Sequence, residues 1–219
     1  MNICVIGGGR NFGKDFCDRA HLDGHNVRIL SHKDYKNNNA RHTSANFNDY
    51  DQLLDAFNCL TDDLDQIDIF LYNSTTTDKL GKAYYKSTCR VNYHAHIDQL
   101  NVHVIVPHLL CVEALKKMNS NSKIIFMTSG MGNFDQYKHS GMTDVAAYAG
   151  GKAYQNFLMA AFADHNDKNA IVASMSPHFD YNNMENYKPV FEVCYKKILA
   201  LTYHDNGKII TMNDIKNIV

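Results

Sequence analysis

The stretch "NICVIGGGRNFGK", residues 2–14, joins a short apolar, β-branched run to a glycine-rich turn. An apolar run that ends in turn residues predicts a buried strand. Phe12, Phe16 and Ala20 follow at helical spacing, so an α-helix with one buried face is expected after the turn. A strand, a glycine turn and a helix in this order are typical of units that bind a phosphate group at the helix N-terminus.

The glycine turn fits two classes of nucleotide site. Gly8, Gly13 and Lys14 have the spacing of the P-loop, G-x-x-x-x-G-K. A P-loop needs Ser or Thr after its lysine to hold magnesium, whereas Asp15 stands here and its carboxylate would repel phosphates. A dinucleotide-binding turn is therefore favoured, although Phe12 takes the third glycine place of G-x-G-x-x-G. A tight turn that binds nothing remains the alternative.

Strands alternate with helices along the rest of the chain. Most strand segments are apolar on both faces, which is typical of a parallel sheet covered by helices on both sides. The expected fold is α/β: one Rossmann-like, doubly wound domain over residues 1–219. Further strands are predicted at 26–31, 68–73, 123–129, 169–177 and 207–212, helices at 50–60, 97–118, 146–165 and 193–204, and a polar loop at 36–45. Pro107 predicts a kink or a break in its helix.

Composition excludes several classes of partner. The formal net charge is -1, so no broad basic face for nucleic acid or an anionic membrane is expected. No apolar run approaches the roughly 20 residues that a membrane helix needs. The first strand starts too early to leave room for a signal peptide, and no cysteine pair forms C-x-x-C, so a cytoplasmic protein with cysteines as small buried hydrophobes is expected. The histidines at 94, 96, 103 and 108 match no metal-binding pattern, and no metal site is expected.

Tyr148 and Lys152 are four residues apart in "YAGGK", on one face of a predicted helix. A free phenol has a pKa near 10 and is a poor acid or base at neutral pH. A nearby ammonium favours the phenolate and lowers that pKa, so such a pair can exchange a proton with an alkoxide or alcohol. Because Y-x-x-x-K is common by chance, a solvated pair is the alternative.

Other motifs accompany this pair in a fixed order: "VIGGGRNFG" (5–13), "ANF" (45–47), "DIFLYNST" (68–75), Asn101 in "DQLNV", Ser129 ending "IIFMTS", "SPHFDYNNM" (176–184) and "NGKIITMND" (206–214). Each motif is loose, but their order and spacing together are specific. Over nearly its whole length the chain resembles the short-chain dehydrogenase/reductase family.

The resemblance implies an oxidoreductase that transfers hydride between NADP(H) and a carbonyl or alcohol substrate. Its implied catalytic residues are Asn101, Ser129, Tyr148 as general acid and base, and Lys152, which lowers the Tyr148 pKa. The implied cofactor-binding residues are Gly7, Gly9, Arg10, Asn11, Phe12, Gly13, Ser31, His32, Lys33, Asn46, Phe47, Asn73, Ser74, Tyr148, Lys152, Pro177 and Phe179. Such proteins are usually dimers or tetramers, so a homodimer or homotetramer through helices 97–118 and 148–165 is expected.

The end of the second strand indicates which cofactor is preferred. An acidic residue there would bind the ribose 2′-hydroxyl of NAD, but "SHK" (31–33) has none. Arg10, together with Lys33 or His32, offers positive charge to a 2′-phosphate, which favours NADP(H) over NAD(H). Simple solvated surface cations are the alternative.

Several positions depart from the family pattern. Asn11 replaces the middle glycine of the turn, Ile6 a threonine, Tyr72 an asparagine, Ser74 an alanine, and His178 a glycine. Asn tolerates positive φ, so the turn is expected to survive. The departures therefore affect the expected substrate more than the expected cofactor.

Two other functions remain open: an NADP(H)-binding regulator without turnover, and a nucleotide-sugar epimerase or dehydratase, which normally has a larger C-terminal region. Met131, Phe134, Phe179 and Met184 are candidates for a partly apolar substrate pocket, with core packing as their alternative role. If the protein is an oxidoreductase, its expected substrate is a small carbonyl or alcohol compound, whose identity does not follow from the sequence.

Overall fold

The computed structural model describes residues 1–33, 40–76, 93–141, 145–177, 179 and 183–215. Seven strands form one parallel sheet: β1 (Asn2–Ile6), β2 (Asn26–Ser31), β3 (Arg41–Ser44), β4 (Ile69–Tyr72), β5 (Lys123–Met127), β6 (Ile171–Ser176) and β7 (Ile209–Thr211). Their spatial order is β3-β2-β1-β4-β5-β6-β7. All the predicted strands are present, with bounds within two residues of the prediction.

Eight α-helices lie within the described ranges: α1 (Asn11–Leu22), α2 (Tyr50–Thr61), α3 (Tyr93–Leu100), α4 (Val106–Leu115), α5 (Phe134–His139), α6 (Ala146–His165), α7 (Met184–Leu199) and α8 (Met212–Ile215). Short 3₁₀ turns occupy Gly130–Gly132 and Tyr203–Asp205. A π-helical turn, Asn101–Ile105, joins α3 to α4.

Successive strand residues point to opposite sides of the sheet, so the buried strands present apolar side chains on both faces. Helices cover both of these faces. Val5 of β1 belongs to a core with Phe16 of α1, and Ile6 belongs to a second core with Phe57 of α2 and Leu110 of α4. Two cores on one parallel sheet confirm the predicted doubly wound α/β fold.

The sheet reverses its order of growth at β1. This strand pairs with β2 on one side and with β4 on the other, both in parallel. In open α/β sheets, ligands bind in the crevice outside the carboxyl ends of the strands at such a switch point. The glycine turn after β1 and the segment after β4 therefore border the expected binding crevice.

The predicted break in the helix over 97–118 is present, as the π-helical turn just before Pro107. Two predictions about the bounds of elements were wrong. The loop predicted at 36–45 contains β3, a half-exposed strand whose polar residues carry no apolar signal but pair with β2. The last long helix spans Met184–Leu199 rather than 193–204. It begins at Met184 because the Asn183 side chain accepts hydrogen bonds from the N–H groups of Glu185 and Asn186.

Cysteines in the described ranges are free thiols, of which Cys4, Cys17, Cys111 and Cys194 are buried and Cys59 is exposed. The interpretation as small buried hydrophobes is correct for four of them, and Cys89 lies outside the described residues. Within the described ranges, no helix combines the length and apolar character that crossing a bilayer requires.

Candidate active site

The glycine turn is locked to the end of β4. Gly7 has a φ of +85°, and a Cβ at this residue would lie 2.6 Å from the Ser74 hydroxyl. The Asn73 side-chain amide donates a 3.0 Å hydrogen bond to the Gly7 carbonyl. A Cβ at Gly13 would lie 2.4 Å from that same carbonyl oxygen, so α1 approaches the turn too closely for any side chain there. Both conformation and space thus require glycine at 7, whereas at 13 the close approach alone requires it.

The N-terminus of α1 fits an anionic group. Arg10 precedes the helix, its side chain makes no capping hydrogen bond, and the first turn contains no acidic residue. The N–H groups of that turn and the positive end of the helix dipole are therefore available to a phosphate. Asn11 has a φ of 51°, as its place in a glycine position requires. These features suit the pyrophosphate of a dinucleotide.

The residues that suggested a P-loop are engaged elsewhere. Lys14 Nζ lies 2.5 Å from the carboxylate of Asp18, one turn along α1. The Tyr187 hydroxyl donates a 2.5 Å hydrogen bond to the Asp15 carboxylate. Both side chains of the P-loop interpretation therefore stabilise α1 and its packing against α7.

The end of β2 carries the residues expected near the adenosine. The Ser31 hydroxyl donates to the Lys33 carbonyl at 2.6 Å and lies 2.8 Å from Nε2 of His42 on β3. The His32 ring stands edge-on to Phe47, with ring centroids 5.8 Å apart. His42 was missed because it lies in the segment predicted as a loop.

Two predicted cofactor residues have rings that pack in or against the core. Phe12 is 1% exposed and packs against Phe16, Phe179 and Phe191. Phe179 stacks on Phe12, with ring centroids 4.9 Å apart. Only the backbone of Phe12 therefore borders the glycine turn.

The remaining predicted positions lie along the same edge of the sheet. Asn46 follows β3 with its amide oxygen bonded to the N–H of Asn48. Ser74 lies beneath Gly7 after β4, and Pro177 follows β6. Gly9 is half-buried in the turn, and His178 lies outside the described residues.

Asn101 begins the π-helical turn and is 6% exposed. Its amide oxygen accepts a 2.7 Å hydrogen bond from the Tyr50 hydroxyl, and its amide nitrogen donates to Asn48 at 2.6 Å. The side chain therefore anchors the turn to the start of α2, and both of its polar groups have partners.

Ser129, Tyr148 and Lys152 come together beyond the end of β5. Burial raises the pKa of the Tyr148 phenol, and a hydrogen bond from Ser129 partly offsets that rise. Lys152 Nζ lies 5.9 Å from the centroid of the Tyr148 ring. The three residue types thus occupy one site, with a hydroxyl on the phenol and an ammonium beside its ring.

Lys152 is 3% exposed, and burial lowers the pKa of its ammonium to about 7. Its Nζ donates to the Met127 carbonyl at 2.8 Å and to the Gln155 amide oxygen at 3.0 Å. The sequence predicted a lowered pKa for Tyr148, whereas the net direction is upward. The reason is that burial weighs most on the phenol, while Lys152 is itself partly neutral near pH 7 and bonded to other groups.

Two side chains of the site were missed from the sequence. His103, in the π-helical turn, packs edge-on against Tyr148, and Gln155 holds Lys152. Gln155 lies one turn after Lys152 in a segment predicted as helix, which was an available signal. The contact between His103 and Tyr148 joins two elements that are distant in the sequence, so no local sequence pattern predicts it.

The predicted pocket residues divide into two groups. Phe134 and Met184 are 76% and 52% exposed at the starts of α5 and α7. Met131 lies in the short turn that Ser129 caps, and the partly buried Phe179 packs against the core. No three His, Cys, Asp or Glu side chains of the described ranges converge as a metal site.

The chain matches the family model described as short chain dehydrogenase over residues 1–184. A comparison with curated proteins finds no match. A short-chain dehydrogenase/reductase from Serratia marcescens is 18% identical, with a TM-score of 0.75 over 96% of this chain and 94% of that one. An apo SCOR enzyme from Clostridium thermocellum is 19% identical, with a TM-score of 0.71 over 95% and 89% of the two chains.

A blue fluorescent protein from a metagenomic library, in complex with NADPH, is 16% identical, with a TM-score of 0.75 over 96% and 95% of the two chains. At these identities the likeness shows the fold alone. The family model spans most of the sequence, including the glycine turn, Ser129, Tyr148 and Lys152. The chain therefore belongs to the short-chain dehydrogenase/reductase family.

Proposed function

We propose that this protein is an NADP(H)-dependent oxidoreductase that interconverts a small carbonyl compound and its alcohol. The observation that carries the proposal is the convergence of Ser129, Tyr148 and the buried Lys152 at the sheet edge that also carries the glycine turn. The fit of the α1 N-terminus to a pyrophosphate supports the cofactor.

When bound, a nicotinamide cofactor would supply or accept the hydride. Tyr148 donates a proton from its phenol oxygen to the carbonyl oxygen of the substrate, and takes it back in the reverse direction. Ser129 donates a hydrogen bond to that oxygen and orients it, which stabilises the charge that develops there. Lys152, when protonated, stabilises the phenolate that is left behind.

The burial of Lys152 gives the reaction a pH dependence. Because the pKa of its ammonium is about 7, the fraction that is charged falls as the pH rises through neutrality. Cofactor and substrate groups that accept a hydrogen bond from Nζ favour the charged form and raise that pKa.

The test is Tyr148→Phe, which removes the proton donor and keeps the ring. We expect NADPH to bind as in the unchanged protein and turnover with aldehydes and ketones to fall by roughly 10² or more, the usual share of general acid–base catalysis. NADPH oxidation against a carbonyl panel measures turnover, and calorimetry measures binding. Tyr203→Phe, at a 72% exposed tyrosine, is the control and should change neither.

Near-unchanged turnover of Tyr148→Phe would contradict the proposed role. If the unchanged protein binds NADPH but no carbonyl compound of the panel leads to its oxidation, an NADP(H)-binding regulator without turnover becomes the better explanation.

The proposed cofactor preference rests on Arg10 and on Lys33 or His32, which offer positive charge near the ends of β1 and β2, and residues 31–33 include no acid. We expect tighter binding of NADPH than of NADH. Arg10→Ala should weaken NADPH binding about tenfold, the size of one lost charge-assisted hydrogen bond, and leave NADH binding unchanged. Lys168→Ala, which removes a cation after α6, is the control in calorimetric titrations. Equal affinity of the unchanged protein for both cofactors would refute the preference.

We further propose that the protein is a homodimer or homotetramer through the helical segment 97–118 and residues 148–165 of α6. Phe157 and Tyr154 of α6 are 74% and 42% exposed, and Ile105 and Val112 are exposed on the neighbouring helical segment. Large exposed apolar side chains on adjacent elements are typical of an interface.

A further inference from the structure

His103 is a fully buried imidazole at the centre of the proposed site. It lies in the π-helical turn and is 0% exposed. Its ring meets that of Tyr148 edge-on, with centroids 5.4 Å apart and an interplanar angle of 81°. Edge-to-face pairs of this kind are favoured over face-to-face stacks and define the angle between the rings.

The imidazole of His103 is also held by Thr75. Nε2 of His103 lies 3.1 Å from the Thr75 hydroxyl oxygen. Thr75 follows β4 two residues after Asn73, whose side chain holds the glycine turn through Gly7. A short path of contacts therefore links the ring of Tyr148 to the segment that borders the cofactor crevice.

Space at α6 is reserved for His103. A Cβ at Gly151 would lie 2.9 Å from both Cβ and Nδ1 of His103. Gly151 stands between Tyr148 and Lys152 on the same helix, so the missing side chain allows the imidazole to reach the Tyr148 ring. His103 is thus confined by Gly151, Tyr148 and Thr75, on three separate elements.

The imidazole is neutral at this place. Burial first, and then the charge of Lys152, lower the pKa of His103 well below its ordinary value. The groups around Tyr148 in the described ranges are Lys152 of α6, the Ser129 hydroxyl after β5, and His103 of the π-helical turn. A neutral ring packs on the phenol without adding a charge, and its one remaining N–H is too weak an acid to protonate a substrate at neutral pH.

We propose that His103 is a positioning residue, held by Thr75, that fixes the ring of Tyr148 for proton transfer and keeps water from its buried side. This inference rests on the proposed function for its effect on rate, whereas its effect on the Tyr148 phenol does not depend on any substrate.

The first experiment uses His103→Ala in the full chain and titrates the Tyr148 phenol by ultraviolet absorbance, with Tyr148→Phe in the same background as the subtraction. Burial is the main cause that raises this pKa. Water entering the space left by the imidazole should therefore move the pKa downward, towards its ordinary value. His108→Ala is the matched control, because His108 also meets an aromatic ring of α6 edge-on, at Phe162, away from Tyr148. It should leave the titration unchanged.

The second experiment measures rates with the best carbonyl substrate. His103→Phe keeps a ring but loses the bond to Thr75, and Thr75→Val loses the same bond from the other side. Each should lower kcat about tenfold, a loss of the kind that follows misplacement of a catalytic group, with NADPH affinity unchanged. Because both changes break one contact, the double variant should be no slower than either single variant.

The two readouts separate this inference from the proposed function. If no carbonyl is reduced by the unchanged protein, the titration of His103→Ala still decides whether the imidazole shields Tyr148. An unchanged Tyr148 titration in His103→Ala overturns the shielding. Independent, additive losses in the rate experiment, or losses equal to those of His108→Ala, overturn the anchoring by Thr75. His103→Phe decides the question should His103→Ala fail to fold.

Discussion

Lys152 shows at the scale of one residue how a reactive site costs stability. Lys152 belongs to α6, and its ammonium is buried and hydrogen-bonded to the Met127 carbonyl and the Gln155 amide oxygen. Neither partner carries a charge, so the pKa falls from 10.5 to about 7. A buried cation without a counter-ion is a strain on the folded state that an apolar residue would not impose.

The burial predicts a dependence of stability on pH. Between its folded-state pKa of about 7 and its unfolded value of 10.5, Lys152 binds a proton only in the unfolded chain. The free energy of unfolding should therefore rise with pH across this interval, by about 1–2 kcal/mol between about pH 7 and about pH 8.5. Urea denaturation at several pH values measures the slope.

Lys152→Met provides the comparison, because methionine has a similar length and no proton to lose. Its slope over the same interval should be smaller by the Lys152 contribution. Buried thiols act in the opposite direction only near and above their ordinary pKa of 9.0, so the lower part of the interval is the cleanest. Equal slopes for the two proteins would show that Lys152 keeps its ordinary pKa.

At the scale of an element, α6 carries two adjacent glycines in different surroundings. A Cβ at Gly150 would meet nothing within 4 Å, whereas one at Gly151 would lie 2.9 Å from His103. Gly150 is exposed and Gly151 is buried. The helix therefore has one glycine that weakens it without a packing reason, and one that its neighbour requires.

The pair predicts alanine substitutions of opposite sign. Gly150→Ala should stabilise the protein by about 0.5–1 kcal/mol, because alanine is the better helix former and the space is open. Gly151→Ala should destabilise it by about 1–3 kcal/mol, because it forces His103 or the backbone of α6 to shift. Thermal and denaturant unfolding measure both. Stabilisation by both substitutions would show that His103 does not pack where α6 approaches it.

The same scale explains the break between α3 and α4. Proline has no N–H and its ring clashes with the carbonyl four residues earlier, which for Pro107 is that of His103. The chain takes a π-helical turn over Asn101–Ile105 just before the proline. This turn brings both Asn101 and His103 into buried positions, so the proline that interrupts the helix also builds part of the site.

At the scale of the whole molecule, the order of strands decides where the reactive residues meet. Ser129 follows β5 and the glycine turn follows β1, two strands separated in the sheet only by β4. All strands are parallel, so their carboxyl ends lie on one edge. α6 packs against β6, β5 and the π-helical turn, which brings Tyr148 and Lys152 to the same edge.

The proposed assembly predicts a change of mass in solution. Phe157→Glu puts a charge on the exposed face of α6 and should reduce the oligomer to smaller species in size-exclusion chromatography with light scattering. Burying an unpaired carboxylate in an interface is costly, which is the reason for the expected loss. Leu22→Glu, on an 80% exposed side chain at the end of α1, is the control and should leave the mass unchanged. A single chain's mass for the unchanged protein would refute the assembly.

Much of the architecture was predictable because its signals are local. Each signal is contained within one short segment of the chain. Such signals are the apolar runs of β1, β2, β4, β5 and β6 and the helical patterns of α1, α2 and α6. β3 and the first turns of α7 were not predicted, since the polar strand depends on pairing with β2 and the helix start on the Asn183 cap. Both features depend on contacts with other residues, which the helix or strand propensity of a residue does not include.

By itself, the sequence determined the class of fold, the family, and which residue types are available for proton transfer, because spacing and order along the chain suffice for these. Only the tertiary structure decided how those residues behave. Burial lowers the pKa of Lys152 and raises that of Tyr148, and the packing of the π-helical turn puts His103 against the phenol. Such properties arise from desolvation and from contacts between distant segments, and neither is encoded in local spacing.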